Sequence, residues 1–156
     1  MKELIEGVML KELVTHSDSR GFFREVIREN DNQFFDVSFG QWSHSFIFDG
    51  VIKAWHFHHI QTDYFYVCSG VLRVGLYDLR EDSPTYKMKM DFLMGDYQQA
   101  SCLKIPPGIA HGVKAVQGPV NLLYMMSHIY NPSDEIRIPY NDPSIGFDWE
   151  NDYQIT

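Results

Sequence analysis

Between Gly50 and Gly70 the chain places His56, His58 and Asp63 in one short stretch, and Pro106-Pro107-Gly108-Ile109-Ala110-His111 supplies another imidazole. Imidazoles and carboxylates both ligate metals and move protons near neutral pH. His56 and His58 are two residues apart, so on an extended strand they leave the same face. Three imidazoles and a carboxylate that converged could hold Mn, Fe, Ni or Zn with coordination positions left open. Without an ion, the same groups could line a polar cavity and exchange protons with a substrate. Tyr124 and Tyr130 add phenols that could donate a proton or line a rim, although aromatics in such runs are commonly core residues.

The elements that must carry these groups are short β-type runs. They fall near 8–15, 22–28, 38–48, 51–58, 64–68, 71–79, 86–93, 102–105, 111–116 and 121–130. Turn signals separate them at Ser19-Arg20-Gly21, Asp49-Gly50, Ser69-Gly70, Asp82-Ser83-Pro84, Gly95-Asp96, Pro106-Pro107-Gly108 and Gly118-Pro119. A helical turn is expected around Asn30 to Phe35, and no long capped helical period is present. The pattern predicts an all-β sandwich or barrel formed by one domain over residues 1–156. Parity puts Tyr124, Met126, His128 and Tyr130 on one side of the last run, and Asp63, Phe65 and Val67 on one side of theirs. Polar and aromatic groups on an inward face predict a ligand cavity. Asp78 and Arg80 are expected to pair at a strand end.

The whole-chain composition narrows the function. At 156 residues with 15% aromatics and 22% charged residues, the chain can bury a real core and is not disordered. A net charge of −8 argues against nucleic-acid binding, while a few converging cations could still hold a small phosphorylated ligand. Cys68 and Cys102 do not suggest a disulfide scaffold, and Cys68 is expected to pack as a small hydrophobe. Met1 to Leu13 carries acidic residues and no long apolar run, so no signal peptide or membrane anchor is expected, and the expected location is cytoplasmic.

Two resemblances meet in this sequence. Gly50, His56, His58, Asp63 and Gly70, followed by Pro106-Pro107-Gly108-Ile109-Ala110-His111, resemble the two motifs of the cupins, with Asp in place of Glu. On that likeness His56, His58, Asp63 and His111 are the candidate ligands of a divalent metal. Other segments are more specific. Asp18-Ser-Arg20-Gly-Phe-Phe23-Arg-Glu25, Gly50-Val-Ile-Lys53-Ala-Trp-His56, Asp78-Leu-Arg-Glu-Asp-Ser-Pro-Thr85 and Ile105-Pro-Pro-Gly-Ile-Ala-His-Gly112 resemble dTDP-4-dehydrorhamnose 3,5-epimerases. So do Tyr124, Tyr130-Asn-Pro132, Glu135 and Asn141-Asp-Pro-Ser-Ile-Gly146, so the likeness runs from about Asp18 to Trp149.

The second resemblance implies a cupin-type jelly roll, usually a homodimer made by strand exchange. It implies inversion of carbons alpha to the 4-keto group of a nucleotide-linked deoxysugar, through an enolate and without a resident cofactor. His56 matches the family base and Tyr124 the proton donor across the ring. Tyr130 matches an aromatic that packs on the ligand. Arg20, Glu25, Gln41, Lys53, His111 and Glu135 match substrate-contacting positions, Phe23 matches a base-stacking aromatic, and His58 is counted with them. Lys53 stands for an Arg and loses the bidentate fork.

Three departures matter. Asp63 falls where the family carries a Lys beside the sugar, and a carboxylate there would repel an enolate unless protonated or metal-bound. The family's C-terminal Leu-Ser-x-Lys-Asp region, whose Asp orients the catalytic His, is not found, and Asp63 is a candidate to replace it. Ser43 replaces an Asn in Gln41-Trp-Ser-His-Ser45. The expected substrate is therefore a nucleotide-linked 4-keto sugar. The alternatives are a metal-dependent cupin enzyme, a nucleotide-sugar 3,4-ketoisomerase and an inactive sugar-nucleotide binder.

Overall fold

The computed structural model describes residues 1–151, so the far C-terminus, where an orienting Asp was sought, lies outside the described residues. The described chain is all-β: β1 Lys2–Glu3, β2 Met9–Glu12, β3 His16–Asp18, β4 Gly21–Phe23, β5 Gln41–Ile47, β6 Ile52–Phe57, β7 Asp63–Asp78, β8 Lys89–Gly95, β9 Ser101–Ile105, β10 Ile109–Met126 and β11 Ile136–Arg137. The expected helical turn is a single turn in which the Phe34 and Phe35 N–H groups both donate to the Asp31 carbonyl at 2.7 Å.

Two strands are longer than their sequence signals. The runs at 64–68 and 71–79 are one strand, β7. Gly70 does not reverse the chain but bulges at φ +82°. Its N–H donates to Asp96 Oδ2 at 2.7 Å and its carbonyl accepts the Asp96 N–H at 2.8 Å. Likewise β10 runs through Gly118-Pro119 with register shifts against β7. It ends at Met126, so His128 and Tyr130 lie beyond the strand; Tyr130 still lines the same cavity as Tyr124 and Met126, and His128 is not among its lining residues. Bulges inside a ladder bend it without ending it.

These bends make the jelly roll. β7 and β10 pair antiparallel along most of their length. Near its start β7 pairs with β9, and past Gly70 with β8. β10 pairs first with β6 and then with β5. The two long strands therefore belong to both layers, and the layers close around a core that includes Phe65, Leu72, Leu76, Met94, Leu103, Ile105 and Leu122. Each fully buried Leu or Ile stabilises this core by about 2 kcal/mol. β3 and β4 form a separate hairpin outside this sheet.

The second half of β7 is buried on both faces, including Arg73, whose guanidinium pairs with Asp91 at 2.6 Å. Its outer face is covered by the segment leading to Trp149, which packs with Trp55, Tyr77 and Ile145. Gly75 and Gly112 are register partners there. A Cβ on Gly75 would lie 2.8 Å from Trp149, and one on Gly112 only 2.4 Å from the Ala54 Cβ. Asp78 and Arg80 pair as expected, with Arg80 Nη2 at 2.8 Å from Asp78 Oδ2. The expectation for Cys68 fails: it is exposed, because the alternation that turns Phe65 and Val67 inward turns Cys68 out.

Candidate active site

A cavity of about 630 Å³ opens between β5, β6, β10 and the start of β7. The strand face of His56, two residues before His58, points into it, as do Phe65 and Tyr124. The rings of His56, His111, Phe65 and Tyr124 follow one another across it. Their centroids are 6.4 Å apart for His56–His111, 5.6 Å for His111–Phe65 and 5.8 Å for Phe65–Tyr124.

At the deep end His58, Asp63 and His111 converge, with one ligand atom of each within 4.8 Å of the others. Asp63 Oδ2 lies 3.3 Å from His111 Nε2 and 3.6 Å from His58 Nε2. Asp63 and His111 are 4% and 5% exposed, so water screens this cluster weakly. The far ring nitrogens are held by the backbone. His111 Nδ1 is 3.1 Å from the Ile109 carbonyl and His58 Nδ1 is 3.1 Å from the Asp134 carbonyl. A carbonyl only accepts, so each Nδ1 carries a hydrogen, and each Nε2 is turned toward Asp63. Gln61 donates to Asp63 Oδ1 at 2.7 Å and lies 3.2 Å from His58 Nε2. Asp134 anchors the approach: its carboxylate accepts the N–H groups of His59 at 2.8 Å, Ile60 at 3.2 Å and Gln61 at 3.3 Å.

His56 is not part of this cluster, which corrects the four-residue ligand set drawn from spacing. His56 and His111 are register partners on β6 and β10, yet a bulge follows His111 and its ring turns toward Asp63. His56 is instead held neutral. Burial, then the neighbouring His111, lowers its pKa to about 4, and Arg137 and His58 add to the effect against the opposing charge of Glu135. A neutral imidazole has a lone pair free to take a proton.

Tyr124 faces the cavity from β10. Burial first, then the Asp63 charge, pushes its phenol upward, so it keeps its proton at neutral pH. Its register partner across the β5–β10 ladder is Ser43. Ser43 in turn accepts from Gln41 Nε2 at 3.2 Å, and Gln41 Oε1 accepts the Tyr130 N–H at 2.6 Å. These bonds tie the strand beside Tyr124 to the rim where Tyr130 stands.

Nearer the mouth, Lys53 Nζ donates to Ser45 Oγ at 2.9 Å, and Arg137 donates to Glu135 Oε1 at 2.6 Å. Among the described residues lining the cavity, Lys53 and Arg137 are the side chains of fixed positive charge.

Of the residues singled out from the sequence, Gln41, Lys53, His56, His58, Asp63, His111, Tyr124, Tyr130 and Glu135 line this cavity. Arg20, Phe23 and Glu25 do not. Arg20 and Phe23 lie on the exposed β3–β4 hairpin and Glu25 just after it. The Arg20 side chain is paired to Asp18 at 2.6 Å. Gln61, Arg137, Ser43, Ser45 and Asp134 were missed as site residues. Parity carried part of the signal: Ser43 and Ser45 follow Gln41 at steps of two, and Arg137 follows Glu135 in the same way. Nothing local marks Asp134, because its partners lie more than seventy positions away.

Comparison with known proteins agrees with this architecture. The family model described as dTDP-4-dehydrorhamnose 3,5-epimerase matches residues 2–156. The chain is 42% identical over 154 residues to the spore coat polysaccharide biosynthesis protein SpsL of Bacillus subtilis, covering 97% of this chain and all of that one. It is 35% identical over 149 residues to the probable low-salt glycan biosynthesis epimerase Agl13 of Haloferax volcanii, covering 93% and 94%. Among solved structures, the rmlC epimerase of Mycobacterium tuberculosis superposes with a TM-score of 0.87 at 31% identity, covering 96% of this chain and 78% of that one. The 3'-monoepimerase ChmJ of Streptomyces bikiniensis, solved with dTDP-quinovose, gives 0.88 at 26% identity, covering 97% and 80%. Strand order, cavity and sequence together place the chain in the dTDP-4-dehydrorhamnose 3,5-epimerase family, enzymes of the isomerase class with a cupin-type fold.

Proposed function

We propose that this protein inverts one or both carbons alpha to the 4-keto group of a nucleotide-linked deoxysugar. The observation that carries this reading is the pairing of a neutral His56 with a proton-bearing Tyr124 on the walls of one cavity. His56 takes the α-proton. The C–H electron pair becomes the new carbon–carbon double bond, and the carbonyl pair moves onto the oxygen as an enolate. Tyr124 then gives its proton to the same carbon from the other face, the carbonyl reforms, and solvent restores both side chains. Stabilising the enolate oxygen is the step that most needs a preorganised positive partner.

His58 is held on Asp63 and Gln61, which favours His56 acting as a lone base over a two-histidine shuttle. Lys53 and Arg137 near the mouth are suited to the diphosphate, and Tyr130 to packing on the sugar or the base. The relatives solved with dTDP or dTDP-quinovose make a thymidine nucleotide the first substrate to try.

Arg20, Phe23 and Glu25 would act on a partner's cavity in a homodimer. Phe22 and Phe23 are exposed on the hairpin, and Trp42 and Phe46 are exposed on the outer face of β5. Exposed aromatics of this kind fit a protein–protein surface. No helix long and apolar enough to cross a membrane is present among the described residues, and a cytoplasmic site of action fits a nucleotide-sugar substrate.

The decisive experiment incubates the enzyme with a dTDP-linked 4-keto-6-deoxyhexose in D2O. Deuterium entering at C3 or C5 with inversion is the expected result. Failure to exchange with dTDP- and GDP-linked substrates alike would sink the reading.

A further inference from the structure

We infer that His58, Asp63 and His111 form a binding site for one divalent first-row transition metal ion, which holds the keto oxygen while His56 remains free as the base. The site is built as such sites are built. Two ligands each about 2.1 Å from an ion stand about 3.0 Å apart at a right angle and about 3.4 Å apart at the tetrahedral angle. The Asp63 oxygen meets the two Nε2 atoms at 3.3 and 3.6 Å, close to that range.

The orientation of the rings is equally specific. Both histidines give the Nδ1 hydrogen to a backbone carbonyl at 3.1 Å and turn Nε2 toward the Asp63 carboxylate. Metal-ligating imidazoles are held in this way by a donated far-side hydrogen. Gln61 fixes the carboxylate from behind through Asp63 Oδ1 at 2.7 Å and also touches His58 Nε2 at 3.2 Å. That second contact would yield to the ion. Two imidazoles and one carboxylate leave open coordination positions, and all three residues line the cavity, so those positions are available to a ligand.

The location suits the chemistry. Lys53 is hydrogen-bonded to Ser45 and Arg137 to Glu135, so the described cavity cations are engaged away from the cluster. Asp63 alone would oppose a nearby enolate. With an ion on Asp63, the carbonyl pair released when His56 takes the α-proton settles on an oxygen bound to the metal. The same pair returns as the carbonyl when Tyr124 protonates the carbon, so the ion undergoes no redox change. Because His56 lies outside the ligand set, metal binding and proton abstraction do not compete. The catalytic part of this inference rests on the epimerase reading; ion binding does not.

The test uses the full chain made without a histidine tag and stripped with chelator. Titration with Co²⁺ should give a visible ligand-field band that saturates at one ion per chain and is displaced by Zn²⁺. Asp63→Asn and His58→Gln should each weaken Co²⁺ binding by about tenfold or more, while His56→Asn should bind it as the wild type does. Circular dichroism establishes that each variant is folded. If the folded wild-type protein takes up no Co²⁺, Zn²⁺ or Mn²⁺ at millimolar ion, or if both cluster variants bind as well as wild type, the site is overturned. Chelator-stripped enzyme should lose at least about 90% of its solvent-deuterium exchange and regain it with metal, a tenfold loss being ~1.4 kcal/mol of barrier. Full exchange by the stripped enzyme would overturn the catalytic role and leave the epimerase reading standing. Metal binding with no exchange under any condition would do the reverse.

Discussion

His56 and Tyr124 are driven in opposite directions by the same burial: one loses affinity for its proton and the other holds it more tightly. That opposition divides their labour and can be read out separately. His56→Asn should lower turnover by about 10²–10⁴-fold, measured by NMR of the product, because the base is gone. Tyr124→Phe should still wash deuterium into substrate at the carbon His56 attacks, with inversion falling by about 10²-fold, since only the return from the opposite face is lost. Exchange and inversion falling in step in that variant would mean that Tyr124 is not the donor. The lowered pKa of His56 also has a stability consequence. Its folded value is about 4 against an ordinary 6.5, so as pH falls through that window the unfolded chain takes a proton the folded one resists. Stability therefore drops between pH 6.5 and 4, and the contribution is fully present above that range. Urea midpoints at pH 7 and pH 5 should differ less for His56→Asn than for wild type.

β7 and β10 do most of the positioning. Each starts at the cluster end of one layer, carrying Asp63 or His111, and crosses into the other through a glycine-containing irregularity. Neighbouring residues on the same strands face the outer aromatic layer, where Gly75 and Gly112 leave room for Trp55 and Trp149. Gly112→Ala puts a Cβ 2.4 Å from that of Ala54, so β6 and β10 must separate next to His56 and His111. The expected outcome is a loss of about 1–3 kcal/mol of stability with reduced turnover, seen in thermal melts and assays run together. A stable, fully active Gly112→Ala enzyme would show that β6 is not fixed by this contact. The strand types were legible beforehand, since Val, Leu, Tyr and Phe dominate β7 and apolar residues recur through β10. The joins at Gly70 and Gly118 were not, because a glycine that bulges and one that reverses the chain look alike in sequence.

The molecule as a whole leaves its hairpin residues Arg20 and Phe23, with Glu25 behind them, away from its own cavity. If they serve a partner, mixing two inactive variants will reveal it. His56→Asn and Arg20→Ala protomers, unfolded and refolded together, should regain activity, because one of the two cavities in each mixed dimer then has both groups intact. Light scattering should find the dimer, and Trp42→Ser on the exposed face of β5 should loosen it. No recovery in mixed dimers would place Arg20 outside the reaction or in its own chain's site.

The sequence alone settled the all-β class, most strand positions and the family likeness, and it named part of the cavity lining, including His56, His111 and Tyr124. These follow from local rules: side-chain alternation, turn chemistry and the order of short motifs. It pointed to four metal-ligand candidates and could not sort them. The tertiary structure separated His56 from His58, Asp63 and His111, and found Gln61 and Asp134 behind them. It also put the Arg20 hairpin outside. Such choices depend on how strands from distant parts of the chain register against one another and on which way a ring turns after a bulge. Spacing fixes which face a side chain leaves from, and only the packed sheet fixes what it meets there.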